Sequence, residues 1–265
     1  MRISESRLLL ILLVIAFAAG CKKADTEEDA VKEEYIEHVF YLEDGDTTKK
    51  TTFEYNKLNQ LSKVIVEGVS YTKLEYYPSG ELALSDTHID IDDSHKMREY
   101  TVYTYGDSSK LKSASVKHYE NSLLKFTATL QYTLNAARQV IEIKSNHHDY
   151  PDEVITYNDK GNISTIETSG DNPITETLTY NEKKSFLSKA RLKYYVGADN
   201  IPVELFNKND IATYIKALDE IHEEKYTTEY NSAGFPVKAA VAKKLTNTSG
   251  ISEKSQERHY TYTMR

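Results

Sequence analysis

Asp86 to His95 reads Asp-Thr-His-Ile-Asp-Ile-Asp-Asp-Ser-His, two imidazoles and four carboxylates within ten residues. Imidazole nitrogen and carboxylate oxygen are the donors that hold zinc or calcium. On a strand, His88, Asp90 and Asp92 fall on one face. The segment lacks the glycine turn of a calcium loop, and its order matches no zinc signature. A run of charge is also the ordinary composition of a solvated face. A second set, His147-His148-Asp149, precedes Tyr150-Pro151. Proline forces the residue before it to be extended, which places the set in a loop. Adjacent histidines on an extended segment point oppositely and would not share an ion. No GxSxG elbow and no HExxH motif is present. No metal, cofactor or catalytic residue is therefore assigned, with His88, Asp90 and Asp92 the nearest to a metal set. The chain reads as a non-enzyme. The alternative is a glycan-active hydrolase whose acids meet on a concave sheet face.

The remaining chemistry is at Cys21, the only cysteine in 265 residues. Arg2 and Arg7 precede a run from Leu8 to Gly20 of apolar and small residues. Thirteen residues are too few to span a bilayer as a helix, which needs about 20. A basic start, a short apolar core and small residues at its end make a secretory signal. The junction Ala18-Ala19-Gly20-Cys21 resembles the lipobox of bacterial lipoproteins, with Ala18 where leucine is usual. That resemblance implies cleavage after residue 20 and acylation of Cys21. Residues 1–20 are then the lipoprotein signal peptide, and Cys21 is a membrane anchor on the outer membrane, facing the periplasm or the cell surface. Several acyl chains at one residue make a stable anchor, since each buried CH₂ contributes about 0.8 kcal/mol.

Residues 21–33 carry Asp25, Glu27, Glu28 and Asp29 without apolar periodicity, the pattern of a solvated tether. Acidic stretches after the cysteine resemble the surface-export signal of Bacteroidota lipoproteins; a generic flexible spacer accounts for them equally. The net charge is −8, and losing Arg2, Arg7 and Glu5 with the signal leaves 31 basic against 40 acidic residues. That balance excludes a nucleic-acid partner, which requires a basic footprint. It also speaks against attraction to anionic lipid beyond the acyl anchor.

The domain at 34–265 must position whatever remains, and it repeats itself. Aligned on tyrosine, the copies pair Tyr55 with Leu61, Tyr76 with Leu82, Tyr105 with Leu111, Tyr132 with Val140, Tyr157 with Ile163, Tyr180 with Phe186 and Tyr230 with Val237. Five copies place the apolar residue six positions after the tyrosine; the Tyr132 and Tyr230 copies need insertions. An apolar residue two positions before the tyrosine marks a strand, and the Asn, Asp, Gly and Ser in between supply turn chemistry. Each unit is one hairpin, and the tyrosines and their partners form a packing ladder. The composition agrees, with 21 Tyr, 7 Phe and no Trp. Residues 259–262 read as a last strand. The long gap between Tyr180 and Tyr230 holds Ile211, Tyr214, Ile215, Leu218 and Ile221, whose spacing predicts an amphipathic helix over about 210–223.

The unit resembles the YD repeat of RHS-type proteins, and with the lipobox it is similar to the DUF4595-like repeat lipoproteins of unknown function in the Bacteroidota. Tyr157, Gly161 and Ile163, then Tyr76, Gly80 and Leu82, carry the likeness. Asn usually replaces Asp after the tyrosine, and the arginine of the motif is absent. The expected fold is all-β: an antiparallel meander of about 14–16 strands in tandem hairpins, curled into a roll or barrel-like sheet, with one inserted helix. Lys, Glu, Asp and Thr on both strand parities speak against a membrane-spanning barrel. The expected function is a non-enzymatic envelope lipoprotein that binds a glycan, peptide or envelope partner, or serves a purely structural role.

Overall fold

The computed structural model describes residues 32–92, 94–170, 172–197 and 203–265. Cys21, the signal segment and most of the tether lie outside the described residues. The strands are β1 (Glu34–Glu43), β2 (Asp46–Tyr55), β3 (Leu61–Val66), β4 (Ser70–Tyr76), β5 (Leu82–Asp90) and β6 (Lys96–Tyr105). They continue as β7 (Leu111–Glu120), β8 (Leu123–Leu134), β9 (Val140–Ser145), β10 (Glu153–Tyr157), β11 (Ile163–Thr168) and β12 (Ile174–Lys184). Last come β13 (Asn209–Ala217), β14 (Ile221–Tyr230), β15 (Pro236–Asn247) and β16 (Gly250–Met264). Each strand pairs antiparallel with the next, and β1 closes on β16, with Glu34 opposite Met264. The meander is thus a closed barrel rather than a roll.

The turn after each repeat tyrosine explains the Tyr-Asn preference. The Asn56 side-chain oxygen accepts the amides of Leu58 at 2.9 Å and Gln60 at 3.0 Å, and its Nδ2 donates to Gln60 Oε1. Asn158 and Asn231 accept the equivalent amides. The third residue after the asparagine adopts positive φ, and glycine occupies it as Gly161 and Gly234, Asn59 and Arg138 elsewhere. Asparagine tolerates this conformation, while arginine is strained there. That is why glycine occurs in only some copies.

The strand leaving each turn bulges at its second residue. Tyr55 pairs with Leu61 but Glu54 with Lys63, which skips Ser62; the same shift occurs at Tyr76, Tyr105 and Tyr157. A bulge changes side-chain parity. Leu61 and Val64, Val140 and Ile143, and Ile163 and Ile166 consequently all face inward and are buried, although three residues apart.

This bulge overturns the predicted helix at 210–223. That segment is β13, a turn and β14. Tyr180 pairs with Ile211 and Thr179 with Thr213, so Ala212 is skipped, and Ile211 and Tyr214 share the inward face at a helix-like spacing of three. Leu218 and Ile221 are the exposed ends of the hairpin instead. Among the described residues the only helical elements are short 3₁₀ turns at Asp107–Ser109 and Val203–Phe206.

Three ladder assignments also change. Leu134, not Tyr132, is the residue paired with Val140, so Tyr132 belongs to the inward position two residues earlier. Pro236, not Val237, pairs with Tyr230. With these shifts both copies keep the spacing of six without insertions. Phe186 starts no strand.

Phe186 instead opens the segment that fills the barrel. A 16-stranded barrel is wide enough to leave an aqueous channel unless something occupies it. Residues 185–197 and 203–208 occupy the end where the tyrosine turns lie. Phe186 packs on inward Phe53 and Tyr260 at centroid distances of 6.3 and 5.2 Å. Tyr194 donates to Ser109 O at 2.7 Å, and Tyr132 donates to Val196 O at 3.0 Å. Asn207 Oδ1 accepts the Ile163 amide at 2.9 Å, and Leu192 N donates to Leu205 O at 2.8 Å. The plug therefore meets strands or turns around much of the circumference. Leu187, Leu192, Val196, Leu205 and Phe206 are buried in it, each worth about 1.5–3 kcal/mol relative to exposure.

The outward face is hydrophilic. Lys63 stands opposite Lys73, Glu223 opposite Lys244 and Glu229 opposite Lys238. Ion pairs such as Lys144–Glu142 at 3.2 Å and Lys238–Glu257 at 2.8 Å lie on the same face. A charge facing the hydrocarbon midplane costs about 2–4 kcal/mol, and a spanning barrel needs an apolar belt. This wall is built for water.

Candidate functional site

The two ends of the barrel differ in chemistry. At the plugged end the tyrosines form one repeated rung. Tyr76 donates to Leu61 O at 2.6 Å, Tyr105 to Leu82 O at 2.8 Å, Tyr157 to Val140 O at 2.8 Å and Tyr180 to Ile163 O at 2.5 Å. Each hydroxyl thus bonds the apolar landmark of an adjoining unit. Tyr55 bonds Ile36 O, and Tyr262 of β16 bonds Pro236 O, which carries the ladder across the closure. Burial pushes these hydroxyls well above the usual phenol range, so they remain donors. Tyr230 departs from the rung. It donates to Asp210 Oδ2 at 2.7 Å, and burial raises Asp210 to about 6.

Two clefts flank residues 189–195 of the plug. One of about 280 Å³ lies against Gln60, Tyr76, Tyr105 and Lys193. The other, about 510 Å³, is ringed by Arg138, Lys160, Arg191, Lys193 and Lys208 beside Tyr157 and Tyr195.

At the opposite end the barrel has a mouth. Inward positions there are wet: His222, Ser252 and Lys254 are exposed although they point to the lumen. A cavity of about 270 Å³ at this rim is lined by His222, Glu224, Lys243, Leu245, Ser252 and Lys254 and by the outward pair Glu223 and Lys244. Below it, Arg258 Nη2 donates to Glu224 Oε2 and to the Tyr226 hydroxyl, each at 3.2 Å. The guanidinium lies over the rings of Tyr226 at 4.9 Å and Tyr41 at 5.2 Å. Lys243 Nζ is 3.3 Å from Glu224 Oε1. Burial opposes the charge on Arg258, but Tyr226, Tyr260, Tyr41 and Glu224 around it raise its pKa further. Burial likewise opposes ionisation of Glu224; Tyr226, Arg258 and Lys243 overcome it and hold the carboxyl below its usual range. Glu204, from the plug, acts on the same group of residues, and burial raises its pKa. Arg258 Nε and Gln256 Oε1 are buried without a hydrogen-bond partner among the described residues, which is costly for a polar atom.

The sequence-derived metal set does not converge. His88 faces outward, 3.1 Å from Asp86 and stacked on Tyr71 at 4.5 Å. Asp90 lies 4.0 Å from Lys96, and Asp92 caps the Ser94 amide at 2.7 Å. Asp86 itself is held by Arg98 through Nε at 2.7 Å and Nη2 at 3.0 Å. The His147–Asp149 set does converge. Donor atoms of His147, His148 and Asp149 lie within 4.8 Å of one another. The segment turns rather than extends, with Tyr150 N donating to His147 O at 3.1 Å, so the two rings stack at 4.6 Å instead of diverging. His147 also stacks on Phe126 at 4.1 Å, and Phe126 on His118 at 4.9 Å. These three residues could hold a divalent cation. The turn residues of Ser145 to Asp152 were the available clue.

No protein-family model matches the chain, and no curated protein matches it in sequence. Among solved structures it is similar to a porin-like protein from Bacteroides uniformis, with 13% identity and a TM-score of 0.47 over 86% of this chain and 96% of that one. A porin-like protein from Bacteroides vulgatus gives 8% identity and a TM-score of 0.42 over 87% and 99%. The TcdB2–TccC3 complex gives 9% and 0.29, over 76% of this chain and 12% of that one.

Proposed function

We propose that this chain is a non-enzymatic, lipid-anchored binding module of the bacterial outer membrane whose mouth takes a hydroxyl-rich ligand of the glycan class. The observation that carries this is the wall of Arg258, Glu224, Tyr226, Tyr41 and Lys243, with an unpartnered donor at Arg258 Nε and acceptor at Gln256 Oε1. Aromatic faces beside charged hydrogen-bonding groups suit sugar rings and their hydroxyls. Acylated Cys21 supplies the membrane attachment, and a peptide or other envelope partner is the competing ligand class. The tyrosine–turn unit is a variant of the YD repeat, supported by Tyr157, Gly161 and Ile163 and by the rung they build.

Glycan-array binding of the mature chain tests the ligand, with Lys243→Ala and Tyr41→Phe as site variants. Binding weakened about tenfold by Lys243→Ala supports the mouth; binding unchanged by both variants contradicts it. Fractionation tests the anchor: Cys21→Ser should leave the membrane fraction, and unchanged fractionation refutes acylation. One observation favours hydrolysis as a second reading. Glu204 and Glu224 near Arg258 have pKa values pushed in opposite directions, the pattern of an acid beside an ionised carboxylate. Release of reducing sugar that is abolished by Glu224→Gln would replace the binding reading with this one.

A further inference from the structure

The net acidity of the chain hides a polar division of charge. The plugged end carries Arg138, Lys160, Arg191, Lys193 and Lys208 around one cleft. Lys57, Lys110, Lys183, Lys184 and Arg265 stand exposed in the turns and at the terminus of the same end. Glu81 and Glu182 are already paired there with Lys193 and Lys160. Asp107 and Asp159 are the other exposed acids in the turns of this end, and Glu33, Glu54, Glu75 and Glu229 lie exposed at the adjoining strand ends. Arg191 has no hydrogen-bond or ion-pair partner among the described residues. The hairpin tips of the mouth are richer in acid, with Asp44, Asp46, Glu67, Asp90, Asp219 and Glu220 beside exposed Lys96, Lys125 and Lys254. The chain also enters the barrel at the basic end, because β1 starts there at Glu34, opposite Met264. Between Cys21 and Glu34 an extended chain reaches at most about 45 Å.

We propose that the plugged end is a docking face for an anionic lipid surface, which holds the barrel upright with its mouth pointing away from the membrane. The proposal rests on the lipid-anchored reading for its setting, but its chemistry is independent of the acyl chains. Basic groups near an anionic bilayer contribute about 1 kcal/mol each, falling off within a Debye length. The face carries ten such groups, of which Lys160 and Lys193 are ion-paired, and a tip residue, Leu58, that is 78% exposed. An apolar tip among cations is suited to the headgroup boundary. The acid-rich tips of the mouth would be repelled by the same surface, so the charge division favours this direction.

The test uses the mature chain from residue 22, which has no acyl chain and no cysteine; the barrel from 34 to 265 closes on itself. Sedimentation with vesicles of phosphatidylglycerol and phosphatidylcholine should show at least about tenfold tighter binding than with phosphatidylcholine alone, lost in high salt. A fluorophore at Leu58→Cys should be quenched by nitroxide-labelled lipid, and one at Leu123→Cys should not. Replacing Arg138, Lys160, Arg191 and Lys208 by Glu should abolish the preference while the circular dichroism stays unchanged. Equal binding to both vesicles, or quenching at Leu123 instead, overturns the proposal. Failure of acylation would show only in the Cys21→Ser fractionation, so the two outcomes are separable.

Discussion

The plugged end and the mouth are made from the same sixteen strands, yet they follow different rules. At the plugged end the rung tyrosines spend their hydroxyls on a neighbour's carbonyl, Asn56, Asn158 and Asn231 accept turn amides, and the apolar landmarks pack in the core. Little there is left free for a ligand except the cations on the rim. At the mouth the hairpins differ in length and composition, and β15 and β16 extend to 12 and 15 residues. Their inward positions are charged, aromatic and partly unsatisfied. Repetition fixes the barrel at one end and leaves the other to vary, which is where a binding site can be built without disturbing the fold.

The largest expected effect comes from high pH. The rung tyrosines stay neutral in the fold and ionise near 10 when unfolded, so the unfolded state loses protons first and stability falls as pH rises above 10. Each contributes about 1.4 kcal/mol per pH unit there. Denaturant titrations should show cooperative unfolding between about pH 10 and 11.5; a barrel stable at pH 12 would break the ladder. Next, Leu205→Ala in the plug should cost about 2–5 kcal/mol. Leu123→Ala, at an exposed mouth tip, should change stability by less than about 0.5 kcal/mol. Similar losses at the two sites would erase the distinction between the ends.

Asp210 gives a smaller, pH-dependent effect. Its carboxyl is raised to about 6 by burial, offset in part by Tyr230 and Asn181. The folded state then holds a proton that the unfolded state releases near 4, so its contribution is fully present below pH 4 and lost as pH rises through 6. Asp210→Asn should therefore gain about 1–2 kcal/mol at pH 8 relative to pH 4. Thermal melts at both pH values would reveal the gain, and an equal effect at each would contradict it. Tyr180→Phe should cost about 0.5–1.5 kcal/mol by orphaning the Ile163 carbonyl; a cost near zero would reduce the ladder to ring packing.

Much of this architecture was legible in the sequence. Tyr55, Tyr76, Tyr105, Tyr157 and Tyr180 marked the rung, and six apolar residues two positions upstream marked the inward face. The helix expected over 210–223 is a pair of strands, in which a bulge at Ala212 gives Ile211 and Tyr214 the spacing of a helix turn. Leu61–Val64 and Ile163–Ile166 repeat that spacing in strands and held the correction. The plug was illegible, since its buried residues follow neither period and find partners across the barrel, as Tyr132 does with Val196. Arg258, Glu224 and Tyr41 come from β16, β14 and β1, and only closure brings them together. A net charge likewise cannot reveal that cations gather at one end.

The plug is part of the barrel's core and not a removable lid. Amide hydrogen exchange tests this directly at Leu192, bonded to Leu205 O, and at Ile163, bonded to Asn207 Oδ1. Both should exchange only through global unfolding, with protection equal to the stability from denaturant melts. Exchange of Leu192 in a faster, separate opening, while strand amides stay protected, would contradict the account.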